Sequence, residues 1–282
     1  MYVEVYVPYC TSDSHAGRKE ADGASGGYFF HGKYVVEAVL DDLLDNVLDT
    51  SFAGQFVFMG MSAGAFGVGK TCDDVAVRVK ESNPAMDVRC VMDGLDFSPP
   101  WLHVPGCDPY VFRSMTAKFW QADLDKSCVE HYGADAKECL LFASYHPFIE
   151  TPFMLVVPYQ DTNMGIHPCS PALDQEPDFW TTWREAIQEM ALDLVEVSIG
   201  STEVTPDCQV HPSGGLFLSN CPHHVSHNKP PVWGDLEVEV LDQFQGQVTY
   251  KQALANWLGD TRPFQALDDP EARNPECPFV NT

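Results

Sequence analysis

The feature that most constrains the fold is the motif Gly60-Met61-Ser62-Ala63-Gly64, which directly follows the apolar run 56–59. A strand, a very tight turn and a helix in this order form a nucleophile elbow, in which the central serine presents its hydroxyl at the end of a sheet. The two glycines are expected where strand and helix approach too closely for side chains. The motif therefore predicts Ser62 as a nucleophile, with the backbone N–H of Ala63 directed at a developing oxyanion.

A second motif overlaps the first and predicts a different backbone. Residues 64–71, GAFGVGKT, fit G-x-x-x-x-G-K-[ST], the phosphate-binding P-loop. In an elbow, the helix begins just after Ser62 and contains Lys70. In a P-loop, residues 64–69 form an open loop and the helix begins near Lys70. Both alternatives stay open on these residues alone.

Composition excludes several classes of partner and suggests a globular chain. The 282 residues include 41 acidic and 16 basic side chains, and the net charge of −25 repels nucleic acid and anionic membrane surfaces. With 45% hydrophobic residues, the chain is expected to bury a large core in one domain over residues 1–282. Prolines predict an irregular tail over 262–282. No apolar run is long enough to predict a membrane span.

Ten scattered cysteines without a Cys-x-x-Cys pair favour an oxidising, secretory compartment. Cys128 and Cys139 are close enough in sequence to form a local disulfide. No signal peptide precedes residues 2–7, whose alternation predicts a strand, so the chain is expected to be truncated at its N-terminus.

Hydrophobic periodicity predicts strands that alternate with helices. Such alternation indicates an α/β fold with a mostly parallel sheet and helices on both faces. Segment 98–139 is expected to form helices and loops that cover the mouth of a site, and 214–228 a His-rich loop. The predicted strands are 2–7, 56–60, 88–92, 153–157 and 236–240, and the predicted helices are 33–48, 63–80, 179–195 and 250–258.

Three polar residues fall at the carboxyl ends of predicted strands, where active groups of such sheets gather. They are Ser62, Asp93 and Asp161. A serine nucleophile needs a base, and the base needs an orienting acid. Asp161 fits the acid in the chain order serine, acid, histidine, although it could instead cap a turn. Asp93 is assigned a pocket or structural role.

The base is expected among His223, His224 and His227. Alternatively, His223 and His227 could bind a metal together with Cys221. A metal site would need a fourth ligand, and the neighbouring prolines argue against a helix that could space the ligands. We therefore predict no metal and no cofactor.

A series of motifs, all in the expected order, resembles the pectin acetylesterase/Notum family of serine carboxylesterases. The resemblance is dense over 6–97, patchy over 98–205 and fair over 214–260. It accounts for Cys72, which a P-loop does not explain, and no N-K-x-D or D-x-x-G follows at usable positions, so the P-loop is disfavoured. The matching motifs are Pro8-Tyr9-Cys10, Phe30-His31-Gly32, 37–44, 60–64, Cys72-Asp73, 88–94, Gln160-Asp161, 217–224 and the helix that ends near Trp257.

The resemblance implies an α/β-hydrolase-like fold and a role for each matched position. Ser62 would be the nucleophile, Asp161 the orienting acid and His224 the base, with His223 as the second choice. Asp93 and Gly94 would belong to the pocket. The implied substrate carries O-acyl groups, above all O-acetyl, on a polysaccharide such as pectin, or an acyl group on a secreted protein.

The family also has a Gly-Gly-rich turn upstream of Pro-Tyr-Cys, which supplies donors to the oxyanion. In this chain that turn would fall before residue 1. The loss of one such donor lowers turnover by about 10²–10³-fold. The alternative function is therefore a catalytically impaired or truncated homologue that binds a glycan or a protein.

Overall fold

The computed structural model describes residues 3–48, 53–95, 119–161, 181, 184–190, 214–223, 237–240, 246–259 and 264–267. Its strands are β1 (Gln55–Met61), β2 (Asp87–Asp93), β3 (Phe153–Asp161), β4 (Gly215–His223), β5 (Glu237–Val240), β6 (Gly246–Thr249) and β7 (Phe264–Leu267). Five of them form one parallel sheet in the order β1-β2-β3-β4-β7. The strands β5 and β6 form a separate antiparallel pair.

Helices connect and cover these strands. The α-helices are α1 (Gly32–Asn46), α2 (Ala63–Ser82), α3 (Lys126–Tyr132), α4 (Phe142–Tyr145) and α5 (Tyr250–Gly259), and residues 184–190 are also helical. Two 3₁₀ helices, Gly133–Leu140 and His146–Phe148, flank α4. Within the described ranges, no helix combines the length and the apolar character needed to cross a bilayer.

Alternate residues of β3 divide the core between the two faces of the sheet. Leu155 and Val157 belong to the apolar cluster that includes the buried side of α2. Met154 and Val156 belong to a second cluster, which includes Trp257 of α5. Burial of each such side chain contributes about 1.5–3 kcal/mol to folding. The sheet is therefore covered on both faces, which confirms the predicted α/β architecture.

Helix α1 lies beside α2 through a third cluster, which joins Leu40 to Val75, Val79 and Val88. The acidic residues Asp41, Asp42 and Asp45 lie on the exposed face of α1. A salt bridge between Lys33 Nζ and Asp74 Oδ2, 2.6 Å long, adds a polar link between the two helices.

The prediction of a strand at the N-terminus was wrong. Residues 3–10 have no regular secondary structure. Val3 and Tyr6 are exposed by 65% and 77%, so neither face of this segment is buried. Alternation stabilises a strand only where a neighbouring strand and a core face are present, and no such partner pairs with 3–10 among the described residues.

Two C-terminal predictions were also wrong. The predicted His-rich loop is in large part β4, whose residues Leu216, Phe217 and Leu218 are buried between the neighbouring strands β3 and β7. A strand buried on both faces is an unbroken apolar run, without the alternation that reveals an exposed strand. The predicted irregular tail contains β7, which is only four residues long and too short for a periodicity signal. Residues 268–282 lie outside the described residues.

Disulfides join helices to the sheet and to each other. The predicted Cys128–Cys139 bridge is confirmed, and it closes α3 onto the following 3₁₀ helix. A Cys72–Cys90 bridge joins α2 to β2. Cys221 is disulfide-bonded as well, whereas Cys10 is an exposed free thiol.

Candidate active site

Ser62 occupies the single position between the end of β1 and the start of α2. Its φ of 52° and ψ of −117° are unusual for a residue with a side chain, and such strain is typical of functional sites. The Ser62 N–H donates to the carbonyl of Asp93 at 2.8 Å, and the Phe66 N–H donates to the carbonyl of Ser62 at 3.1 Å. The backbone is therefore that of an elbow, and the P-loop alternative is excluded because residues 64–71 are helical.

The two glycines of the motif differ in their surroundings. A Cβ on Gly60 would lie 2.2 Å from the carbonyl oxygen of Gly64, so the strand and the helix meet with no room for a side chain. A Cβ on Gly64 would meet nothing within 4 Å in the described part of the chain. The predicted steric need is thus confirmed for Gly60 and wrong for Gly64.

The other glycines of α2 have packing roles that explain why the sequence matches the P-loop pattern. A Cβ on Gly67 would lie 2.4 Å from the carbonyl oxygen of Ser14, and one on Gly69 would lie 2.6 Å from the hydroxyl of Tyr145. Both contacts join α2 to distant segments. The glycines therefore serve close packing along the helix, although each lowers the intrinsic helix propensity.

The Lys-Thr pair of the same motif also has a structural use. Lys70 is buried, and its Nζ donates to the carbonyl of Cys139 at 2.7 Å. The ammonium lies 4.2 Å from the ring centroid of Tyr145, a cation–π distance. The Thr71 hydroxyl donates to the carbonyl of Gly67 at 2.9 Å, one turn earlier in the helix.

The loop that contacts Gly67 is organised by Asp13, which is completely buried. One carboxylate oxygen accepts the N–H of Gly32 at 2.6 Å, and the other accepts the N–H of His15 at 3.1 Å. Ser12, Ser14 and His15 all have positive φ. The sequence analysis did not predict this buried carboxylate, since an Asp in a Ser/Gly-rich stretch usually caps an exposed turn.

His15 brings this loop into contact with α2, the helix that follows the elbow. Its ring centroid lies 4.9 Å from that of Tyr9, and its Cβ would be 3.2 Å from a Cβ on Gly67. Burial lowers the pKa of the imidazole, and the carboxylate of Asp13 partly opposes that shift. A neutral imidazole is therefore favoured beside the first turns of α2.

Asp93 and Gly94 lie directly beside the elbow. Asp93 ends β2, is fully buried and is the register partner of Met61. Gly94 has a φ of 69° and donates its N–H to the carbonyl of Val156 at 2.9 Å, so the chain turns away from the sheet there. Burial raises the pKa of Tyr250 well above its usual value, and the negative charge of Asp93 raises it further.

The ends of β3 and β4 bring the predicted acid next to a histidine. Asp161 is the last residue of β3, is 3% exposed and is the register partner of His223, the last residue of β4. A register shift between Pro158 and Gln160 precedes this pair. Bulges of this kind often re-aim side chains near active sites. His224 and His227 lie outside the described residues.

The four strand ends form one continuous edge. Along it lie Ser62 just after β1, Asp93 at the end of β2, Asp161 at the end of β3 and His223 at the end of β4. Neighbouring strands are about 4.8 Å apart, so the whole set spans about 14 Å. Ser62 and Asp161 therefore lie at the same end of the sheet, two strands apart. The arrangement can support a serine nucleophile with a histidine base and an orienting acid.

The alternative metal site loses one of its ligands. Cys221 is disulfide-bonded, so its sulfur is not available as a thiolate. In the portion of the chain that the structure describes, no group of three or more His, Cys, Asp and Glu side chains is arranged to hold a metal ion.

Comparison with known proteins gives matches along nearly the whole chain. The family model described as Pectinacetylesterase matches residues 2–278. Pectin acetylesterase 5 of Arabidopsis thaliana is 26% identical over 285 residues, which is 99% of this chain and 64% of that protein. The palmitoleoyl-protein carboxylesterase NOTUM of Drosophila melanogaster is 28% identical over 158 residues, 54% of this chain and 23% of the relative. The chain thus spans less than two thirds of the length of both.

A solved structure confirms the fold. The Wnt deacylase Notum from Drosophila superposes with a TM-score of 0.71 at 21% identity and covers 96% of this chain and 73% of the Notum chain. The match supports the α/β-hydrolase-like fold class that the sequence predicts.

Proposed function

The chain belongs to the pectinacetylesterase family, and on that premise we propose that it is a serine carboxylesterase that removes O-acyl groups, above all O-acetyl. The observation that carries the proposal is the strained Ser62 on an edge shared with Asp161 and His223. The φ of 52° and ψ of −117° at Ser62 are a strained combination of the kind that clusters at active sites.

The proposed reaction has two steps. The Ser62 hydroxyl attacks the acyl carbonyl while a histidine takes its proton, and the same histidine then protonates the departing oxygen, which leaves as a sugar or protein hydroxyl. Water, deprotonated by that histidine, releases the acid from the acyl-enzyme. The N–H of Ala63 precedes the intrahelical hydrogen bonds of α2, so it can donate to the oxyanion.

Asp161 is the proposed orienting acid, and His224 is the proposed base. Support for Asp161 comes from its burial and from its register with the end of β4. His224 directly follows that strand, and His223 is the second candidate. His224→Ala should abolish turnover while His223→Ala retains it. The reverse pattern would assign the base to His223.

Asp93 and Gly94 are proposed as pocket residues, each through its backbone. The Asp93 carbonyl accepts the Ser62 N–H and so holds the turn against β2. Gly94 leaves the sheet beside that contact at a φ of 69°. Together they would fix the wall of the site next to the nucleophile.

The substrate class is proposed from the named relatives. These are pectin acetylesterases and palmitoleoyl-protein carboxylesterases. An acylated polysaccharide such as pectin is the first candidate, and an acylated protein is the second. The Cys72–Cys90 and Cys128–Cys139 disulfides support an oxidising, secretory or extracellular location.

Active-site labelling tests the proposal directly. A fluorophosphonate probe should modify the wild type and Ser127→Ala at one site per chain, since Ser127 lies on exposed α3. Ser62→Ala should take up no probe, and its hydrolysis of 4-nitrophenyl acetate should fall by about 10⁴-fold or more. Equal labelling and turnover in all three proteins would overturn the assignment. A folded wild type that neither labels nor hydrolyses would instead favour a catalytically impaired binding protein.

A further inference from the structure

The charge of the molecule bears on which acylated polymer can reach the site. The chain carries a net charge of −25. Five of its 16 basic side chains form ion pairs within the fold. Arg18 pairs with Glu37 and Asp123, Lys19 with Asp22, Lys33 with Asp74, Arg78 with Asp41, and Arg89 with Asp87. Lys70 is buried against the Cys139 carbonyl and so contributes little positive potential outside the protein.

The segments around the candidate site are still poorer in positive charge. No Lys or Arg occurs in 54–69, which contains the elbow, or in 90–95, which contains the end of β2. None occurs either in 138–161, which ends with β3, or in 214–223, which contains β4. The same edge carries the buried acids Asp93 and Asp161.

A polyanion that approaches this edge therefore meets a field of its own sign. Fields of this kind change association rates by about 10–10³-fold and weaken as salt is added. Their reach falls from about 30 Å at 0.01 M salt to about 8 Å at 0.15 M. A polyuronate with free carboxylates would be repelled at every sugar near the site. A neutral chain would not.

We propose that the acyl-bearing substrate is an uncharged glycan, in which uronic acid carboxyls are either absent or capped as methyl esters. The inference rests on the proposed esterase activity and names the substrate class of the same site. The acetyl ester is cleaved as above, so no further reactant is needed. Selection arises before chemistry, in the approach of the polymer.

A matched pair of polymers tests it. Acetylated polygalacturonate is compared with the same preparation after complete methyl esterification, and released acetate is measured at pH 7.5. At 0.01 M ionic strength kcat/KM should be at least about 10-fold higher on the methyl-esterified polymer. By 0.15 M the difference should shrink severalfold, through a rise on the polyuronate alone. A polyuronate that is preferred at low salt, or a gap that salt leaves unchanged, would overturn the proposal.

Surface variants on α1 give a second readout. Asp42→Lys with Asp45→Lys adds four positive charge units at exposed positions. At low salt it should raise turnover of the polyuronate and leave the methyl ester unaffected. Asp42→Asn with Asp45→Asn adds two units and should give a smaller rise in the same direction. Equal rates for all three proteins on the polyuronate would count against a field effect.

A small neutral ester separates this inference from the proposed function. If the wild type hydrolyses 4-nitrophenyl acetate and also prefers the polyuronate at low salt, the esterase assignment stands and the charge inference fails. If it hydrolyses no ester at all, both fail together.

Discussion

The two parts of the candidate site are held in place by different means. At the elbow, Ser62 keeps a positive φ because Gly60 lets strand and helix touch and the Cys72–Cys90 disulfide joins α2 to β2. At the other end, Asp161 and His223 are brought together by the parallel register of β3 and β4. One part is fastened locally, and the other depends on two strands that are distant in sequence.

The difference reflects what each part must hold. A strained serine persists only where its surroundings over-determine its backbone, so close packing and a covalent link suit the elbow. An acid and a base need only neighbouring strand ends, which a parallel sheet supplies. Changes to the supports of the elbow should therefore alter stability and turnover together, whereas changes at the acid end should alter turnover alone.

The largest effect is expected for Asp161→Asn. The amide cannot stabilise an imidazolium and favours the wrong tautomer, so kcat on 4-nitrophenyl acetate should fall by about 10⁴-fold. The urea midpoint should change little, because Asn has nearly the same shape. Asp125→Asn is the control, since it exchanges one good N-cap of α3 for another. A kcat within tenfold of wild type would remove Asp161 from the mechanism.

Substitutions of Gly60 and Gly64 should change the free energy of unfolding in opposite directions. Gly60→Ala places a methyl group 2.2 Å from the Gly64 carbonyl and should lower the free energy of unfolding by about 3 kcal/mol, with loss of probe labelling. Gly64→Ala has open space among the described residues and should raise the free energy of unfolding by about 0.5–1 kcal/mol through helix propensity. Urea unfolding measures both. Equal destabilisation would mean that the elbow is not fastened at Gly60.

The contrast between local packing at the elbow and pairing of distant strands also explains how much could be predicted from the sequence. The elbow, α1 and α5 could be predicted because spacing of glycines and apolar residues is local information. β4 could not, because its apolar core is flanked by prolines and histidines, and its identity as a strand depends on β3 and β7. The burial of Asp13 was likewise hidden, since its partner Gly32 lies 19 residues further along the chain. The order of Ser62, Asp161 and the histidines at 223, 224 and 227 was predicted, whereas the register that pairs Asp161 with His223 required the sheet.

The Cys72–Cys90 and Cys128–Cys139 disulfides should have similar effects on stability and different effects on turnover. They close loops of 18 and 11 residues, so replacement of either pair by serine should cost about 3 kcal/mol. Only Cys72–Cys90 fastens the elbow helix to β2, and only its loss should reduce kcat at temperatures where both variants remain folded. Differential scanning calorimetry with esterase kinetics tests this. Matching kcat losses would show that the bridge beside the elbow has no special role.

The smallest effect is expected for His15, which lies against the elbow helix and should make stability depend on pH. Burial lowers its pKa in the folded state below 6.5, so the unfolded chain binds the proton more readily. Its contribution to stability is therefore present above pH 6.5 and is lost as pH falls through the lowered pKa. The wild-type urea midpoint should fall between pH 7.5 and 5 more than that of His15→Gln, while Ser12→Asn in the same loop keeps the wild-type slope. Parallel slopes for the wild type and His15→Gln would show that the loop against Gly67 does not hold a neutral imidazole.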